Sequence, residues 1–282
     1  MGTKIIKSLM ISVILLLFCT FSYALDKEHP DQPLALSPTS YYTYVKVVAV
    51  GVVEGIFRDH DKTTGETRWN SRLTWFEQRG SGTVVNDQMV LTAAHVIVPQ
   101  DAATPESGVS IYRSRPLKLQ HHVILIFDYK EEPTIGFVHW IDEERDVALI
   151  RFVPLPNQLI KMPFDWVISR NMIDKGDAVS IIVHERDEDM SLTSDITLRN
   201  GHIVSTEPMG PSNTVIASLS VYDMVIDAVL IGGDSGSPVI GYCNGIPVLI
   251  GVARAYWTDG ILFYTYFAYV GYDVKRYTEV LY

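Results

Sequence analysis

Apolar residues recur along this chain in short runs bounded by glycine, proline, asparagine or aspartate, and that pattern predicts strands. Tyr44–Val53, Leu73–Phe76, Gly82–Val85, Gln88–Leu91, Val123–Phe127, Val147–Phe152, Ala178–Val183, Thr214–Leu219, Pro238–Tyr242, Val248–Ala253 and Ile261–Val270 are rich in β-branched and aromatic residues. Such residues fit a pleated, half-buried surface. No long segment repeats its apolar residues at the helical period. Many short strands with turn signals between them suit an all-β sandwich or barrel. Between the strands, His60–Arg68, with Thr63-Thr64-Gly65-Glu66 at its centre, reads as an exposed hairpin tip. The charged run Glu185–Asp189 reads as a solvated loop, and Leu25–Tyr41, carrying Pro30, Pro33 and Pro38, as an extended arm or short pro-segment.

The amino terminus follows a different rule. Lys4 and Lys7 precede an apolar run from Leu9 to Phe21 and then Ser22-Tyr23-Ala24, which is the order of a signal peptide with a small-x-small cleavage site. Residues 1–24 are therefore expected to be removed, giving a secreted or periplasmic chain that begins at Leu25 and keeps no membrane anchor. Removal would take Cys19 and leave Cys243 alone, so no intramolecular disulfide could form. Stability must then come from the core, for which a composition 47% apolar is ample. Cys243, in an apolar strand, reads as packing. Acidic side chains outnumber basic ones, 33 to 23. A chain so negative is a poor partner for nucleic acid or anionic lipid.

The candidate chemistry lies in Gly232-Gly233-Asp234-Ser235-Gly236-Ser237-Pro238. A nucleophilic serine needs an exposed hydroxyl on a tight turn, with main-chain N–H groups aimed at the oxygen that becomes negative on attack. Two further segments arrive in a fixed order. Thr92-Ala93-Ala94-His95 follows the apolar Met89-Val90-Leu91, and Asp146-Val147-Ala148-Leu149-Ile150 follows the charged Asp142–Arg145. With their TAAH, DVAL and GDSG segments in the order His, Asp, Ser, these residues resemble the trypsin-like (chymotrypsin-fold) serine proteases. The shortage of cysteine resembles the bacterial branch of that family.

The resemblance implies two antiparallel six-stranded β-barrels with the active site between them. The first would span 46–160, after an extension over 25–45, and the second 161–282, with the proline-bearing stretch from Val153 to Pro163 as their connection. It implies a serine endopeptidase acting on protein or peptide. Ser235 would be nucleophile, His95 general base and acid, Asp146 the orienter of the imidazole, and the N–H groups of Gly233 and Ser235 the oxyanion hole. No cofactor or metal is called for. A catalytically silent trypsin-like binding protein is the alternative, although such proteins commonly lose one of the three residues.

Rival catalytic orders fail on counting. An α/β-hydrolase elbow needs glycine where Ser237 stands and a histidine after the serine, and none follows. A subtilisin order could borrow Asp61 or Asp87, but no helix pattern surrounds Ser235. His29, His60, His121, His122, His139, His184 and His202 lack the Thr-Ala-Ala context, and the adjacent His121 and His122 would point to opposite faces of a strand.

Specificity is less legible. The position that holds a carboxylate in trypsin is Val229, so Arg/Lys selectivity is unsupported unless Asp227 reaches the pocket. Arg254-Ala255-Tyr256 occupies the segment on which the family lays substrate backbone as an added strand. In animal relatives the aspartate matching Asp234 pairs with a new amino terminus after cleavage. Val52-Val53-Glu54-Gly55 resembles such a start, yet Lys46–Val53 reads as a strand and no second cut is expected.

Overall fold

A computed structural model describes residues 36, 41–60, 63–98, 118–128, 130–153, 161–167, 169–186, 192–207, 222–243, 245–258 and 263–279. The leader, most of the arm, the expected strand Thr214–Leu219 and the expected barrel boundary near residue 160 lie outside them.

The first ring is built from β1 (Tyr44–His60), β2 (Thr67–Asn86), β3 (Met89–Thr92), β4 (Lys118–Phe127), β5 (Pro133–Asp142) and β6 (Val147–Phe152). They close in the order β1-β2-β3-β6-β5-β4 with every pairing antiparallel. In β1 the alternation is plain: Val45, Val47, Ala49 and Val53 are buried, while Lys46, Val48, Val50 and Val52 between them are half-buried. Pairing of β1 with β2 continues from Tyr44 opposite Thr83 out to His60 opposite Thr67, ending in an exposed turn at Thr63–Glu66 as the polarity there predicts.

The second ring contains β8 (Ala178–Arg186), β9 (Leu192–Ser205), β10 (Asp223–Ile226), β11 (Pro238–Cys243), β12 (Ile246–Thr258) and β13 (Phe263–Tyr269), closed by pairing of β11 with β12. β7 (Asp165–Trp166) adds a two-residue parallel pairing to β12 beyond the expected six strands. The chain is thus an all-β double barrel. After β13 it turns through a one-turn helix, Tyr272–Lys275, and a 3-10 turn, Arg276–Thr278, back onto the first barrel. There Tyr277 stacks on Trp140, and Asn86 donates to the Thr278 carbonyl at 2.7 Å.

Several strand boundaries differ from expectation for physical reasons. Leu73–Phe76 and Gly82–Val85 belong to one strand, because Glu77–Ser81 pairs fully with β1 despite its breaker-like composition. The expected loop at Glu185 begins inside β8. β5 and β9 are too mixed in pattern to stand out, and β10 too short at four residues; β9 carries polar residues on a half-buried face.

Candidate active site

Sheet register assembles the first half of the site. Thr92 at the end of β3 pairs with Ala148 near the start of β6, so the residues just beyond those two ends become neighbours. His95 sits in α1 (Ala94–Ile97), a single turn after β3, and Asp146 immediately precedes β6. Asp146 adopts a left-handed φ of 58°, sparsely populated outside glycine although aspartate tolerates it better than most. In that conformation its carbonyl accepts from Ala94 N–H at 3.1 Å, and its Oδ1 accepts from His95 N–H at 2.8 Å. Its Oδ2 meets His95 Nδ1 at 2.7 Å. The carboxylate is 2% exposed and the imidazole 27%, so one end of the ring is held in the interior and the other reaches solvent.

The second barrel brings Ser235 on the turn between β10 and β11. Gly233 and Gly236 have φ of 96° and 92°, which only glycine adopts cheaply. Gly236 also has no room for a side chain: a Cβ there would lie 1.9 Å from the Ser81 carbonyl. The turn is tied by Asp234 N–H to the Ile231 carbonyl and by Gly236 N–H to the Ala253 carbonyl. None of the hydrogen bonds among the described residues uses the N–H of Gly233 or Ser235. Those are the donors that an oxyanion would need. Ser235 Oγ donates to the Arg254 carbonyl at 3.1 Å.

Strand β2 of the first barrel holds this turn from outside. Ser81 N–H donates to the Ser235 carbonyl at 2.7 Å, and Ser81 Oγ donates to the Gly233 carbonyl at 2.8 Å. Thr92 Oγ1 in turn donates to the Ser81 carbonyl at 2.6 Å. Tyr44, wholly buried, hydrogen-bonds Ser81 Oγ and meets the ring of His184 edge-on at 4.6 Å. Burial pushes its phenol up to about 12, so it stays protonated and able to donate at any ordinary pH.

Asp234 turns away from the site. Its fully buried carboxylate accepts from Arg199 Nη1 at 2.6 Å and from Ile231 N–H at 2.9 Å, while the same Arg199 nitrogen donates to the Val229 carbonyl at 2.9 Å. Val52, the alternative amino terminus, lies mid-strand between Trp75 and His121. Val229 is exposed, and Asp227 accepts from His202 N–H at 2.6 Å. Arg254, Ala255 and Tyr256 lie in β12, where Arg254 is the extra residue of a bulge between the pairs Ala253–Phe267 and Ala255–Tyr266. Among the described residues, no cluster of His, Cys, Asp and Glu could hold a metal ion. His121 is exposed and His122 half-buried, as neighbours on a strand should be, and burial lowers the affinity of His122 for a proton.

Comparison with known families decides the wider question. The family model for the trypsin-like peptidase domain matches residues 80–248, more than half of the chain. The chain belongs to this family. A search of curated proteins finds no match. As a trypsin-like peptidase it is a hydrolase of the serine-protease type, and peptides or proteins are its substrates.

Sequence reasoning missed Ser81, Arg199 and Asp223, and took Arg254 only for its backbone. Two of these left a signal. Arg254 interrupts the apolar run Ile250–Trp257, and Asp223 opens the buried strand DMVI. A charge inside an apolar strand requires a buried partner.

Proposed function

We propose that this peptidase is an exported serine endopeptidase that uses His95, Asp146 and Ser235 as its triad. The observation that carries the reading is the double grip of Asp146 on His95, through Nδ1 at 2.7 Å and through the backbone N–H at 2.8 Å. With Nδ1–H committed to a carboxylate, the lone pair of the neutral ring lies on Nε2, the nitrogen that can take the serine proton. The resting bond from Ser235 to the Arg254 carbonyl is given up by rotation about the Cα–Cβ bond as substrate arrives, since catalytic hydrogen bonds tighten in the substrate complex.

Ser235 Oγ then attacks the scissile carbonyl while Nε2 accepts its proton. The new oxyanion is met by the N–H groups of Gly233 and Ser235. Collapse of the tetrahedral species breaks the C–N bond, the imidazolium gives its proton to the leaving amine, and an acyl-enzyme remains on Ser235. Water, deprotonated by the same nitrogen, releases the acid. The substrate main chain lies along β12 at Arg254–Tyr256, with Val229 near the specificity pocket.

Fluorophosphonate labelling tests this directly, because it needs an activated serine. Labelling is expected at Ser235, and Ser235→Ala is expected to fold while losing on the order of 10⁶ in kcat. A folded chain that resists the reagent would instead be a silent trypsin-like binding protein.

The working form begins at Leu25 and needs no second cut. Two features support the absence of a second cut at Val52: that residue is engaged within β1, and the Asp234 carboxylate already has a cation in Arg199. N-terminal sequencing of exported, active protein is expected to read from Leu25; a start at Val52 would replace this scheme with activation by cleavage.

A further inference from the structure

Arg254 joins the two barrels at the triad itself. Its Nε donates to Asp146 Oδ2 at 2.9 Å, and its Nη1 donates to Asp223 Oδ2 at 2.6 Å. The Oδ2 atom it touches is the one that receives His95 Nδ1. Its own carbonyl, at the β12 bulge, receives the Ser235 hydroxyl. The guanidinium is 11% exposed and Asp223 is fully buried. A β-bulge re-aims a side chain that regular pleating would send elsewhere. Burying ionised groups is costly unless each is paired, and this pairing is complete only when Asp146 of the first barrel docks on β10 and β12 of the second.

Resting on the triad reading above, we propose that Arg254, backed by Asp223, is a positioning residue of the reaction that fixes the Asp146 carboxylate and sets the charge facing the imidazole. Two carboxylates and one guanidinium carry a net single negative charge, as a lone aspartate would. The guanidinium alone would weaken the pull of Asp146 on the imidazolium, and Asp223 restores it. Arg145, the sequence neighbour of Asp146, is directed to Asp273 at 2.6 Å, to Asp142 at 3.6 Å and over the Tyr222 ring at 4.0 Å. Removing the cation therefore favours the protonated imidazole, and removing the Asp223 charge disfavours it. The two changes must move the acidic limb of the pH profile in opposite directions, which loss of packing alone would not do.

The test is the rate of fluorophosphonate labelling of Ser235 between about pH 5 and 9. It is measured in the whole exported chain, in Arg254→Met, Arg254→Lys and Asp223→Asn, and in the Asp223→Asn/Arg254→Met double variant. In Arg254→Met the plateau rate is expected to fall on the order of 10²-fold, with the midpoint rising by roughly one pH unit. Arg254→Lys keeps the charge without the fork, so its rate falls while its midpoint stays near that of the parent. Asp223→Asn lowers the midpoint, and the double variant returns it toward the parent.

An Arg254→Met protein with parental rate and midpoint overturns the proposal, as do shifts of the same sign in Arg254→Met and Asp223→Asn. If circular dichroism shows Arg254→Met unfolded, Asp223→Asn decides alone, and an unchanged midpoint there overturns the role. A parent chain unlabelled at Ser235 overturns the triad reading and this role together, whereas a labelled parent with indifferent variants overturns this role only.

Discussion

One methyl group at position 80 probes how closely strand β2 approaches the nucleophile. A Cβ on Gly80 would lie 2.7 Å from the Ser235 carbonyl and 2.5 Å from Val96 Cγ2. Neither the backbone of the serine turn nor a β-branched side chain in a helix can give way cheaply. Gly80→Ala is therefore expected to lower kcat/KM well beyond its loss of stability, which should be roughly 1–3 kcal/mol. Thermal melting beside steady-state kinetics checks this, and parental kinetics would show that the turn relaxes freely. Cys243 behaves in the opposite way. Burial, and after it the Asp177 carboxylate, push its thiol up, so little thiolate forms at neutral pH. Iodoacetamide is expected to leave turnover unchanged, and inactivation would show that the thiol is reactive and coupled to the site.

At the scale of elements, β9 matters for where it sends Arg199. The guanidinium ties Asp234 and the Val229 carbonyl, two points of the segment leading into the serine turn. Arg199→Met leaves a fully buried carboxylate without this cation, a change that typically costs about 3–5 kcal/mol in buried pairs. The cost should appear in kcat more than in KM if, as proposed, the turn supplies the N–H groups that meet the oxyanion; equal effects on both would argue against that role. This strand also marks the limit of sequence reading. The motif segments around His95, Asp146 and Ser235 were legible because each is short, local and flanked by an apolar run. β6 was legible to the residue, since both of its faces are buried over Val147–Ile150. β9 was not, because its mixed residues answer to partners far away in sequence. Gly80 and Ser81 read as a break in β2 for the same reason: they are small to admit the serine turn, not to end a strand. The partnership of Arg254 with Asp223 depended on a bulge, which shifts register by one residue and leaves no periodic trace.

For the whole molecule the decisive contact is between barrels, and Tyr44 offers a handle on it. Its phenol is pushed from an ordinary 10.0 to about 12, chiefly by burial. Below pH 10 both folded and unfolded chains keep that proton. As pH climbs from about 10 toward 12 only the unfolded chain gives it up, so stability falls by up to about 1.4 kcal/mol per pH unit. Denaturant titrations across that window are expected to show the slope, reduced in Tyr44→Phe. A residue of slope will persist from Tyr242 and Tyr269, whose phenols burial also raises. An unaltered slope in Tyr44→Phe would place the alkaline weakness elsewhere.

The hold of Ser81 on Gly233 spans 152 positions of the chain, and that distance sets a schedule for biosynthesis. A ribosome releases the cradle first, with His95 and Asp146 beside it, while Ser235, the proposed nucleophile, is still unmade. The last ties to form, Arg254 to Asp146 and Asp273 back to Arg145, come from the final stretch of translation. A nascent chain of this design is unarmed until almost all of it has emerged. Under the export proposed above, a chain in unfolded transit is equally unarmed, because the cradle and Ser235 meet only when both barrels have folded.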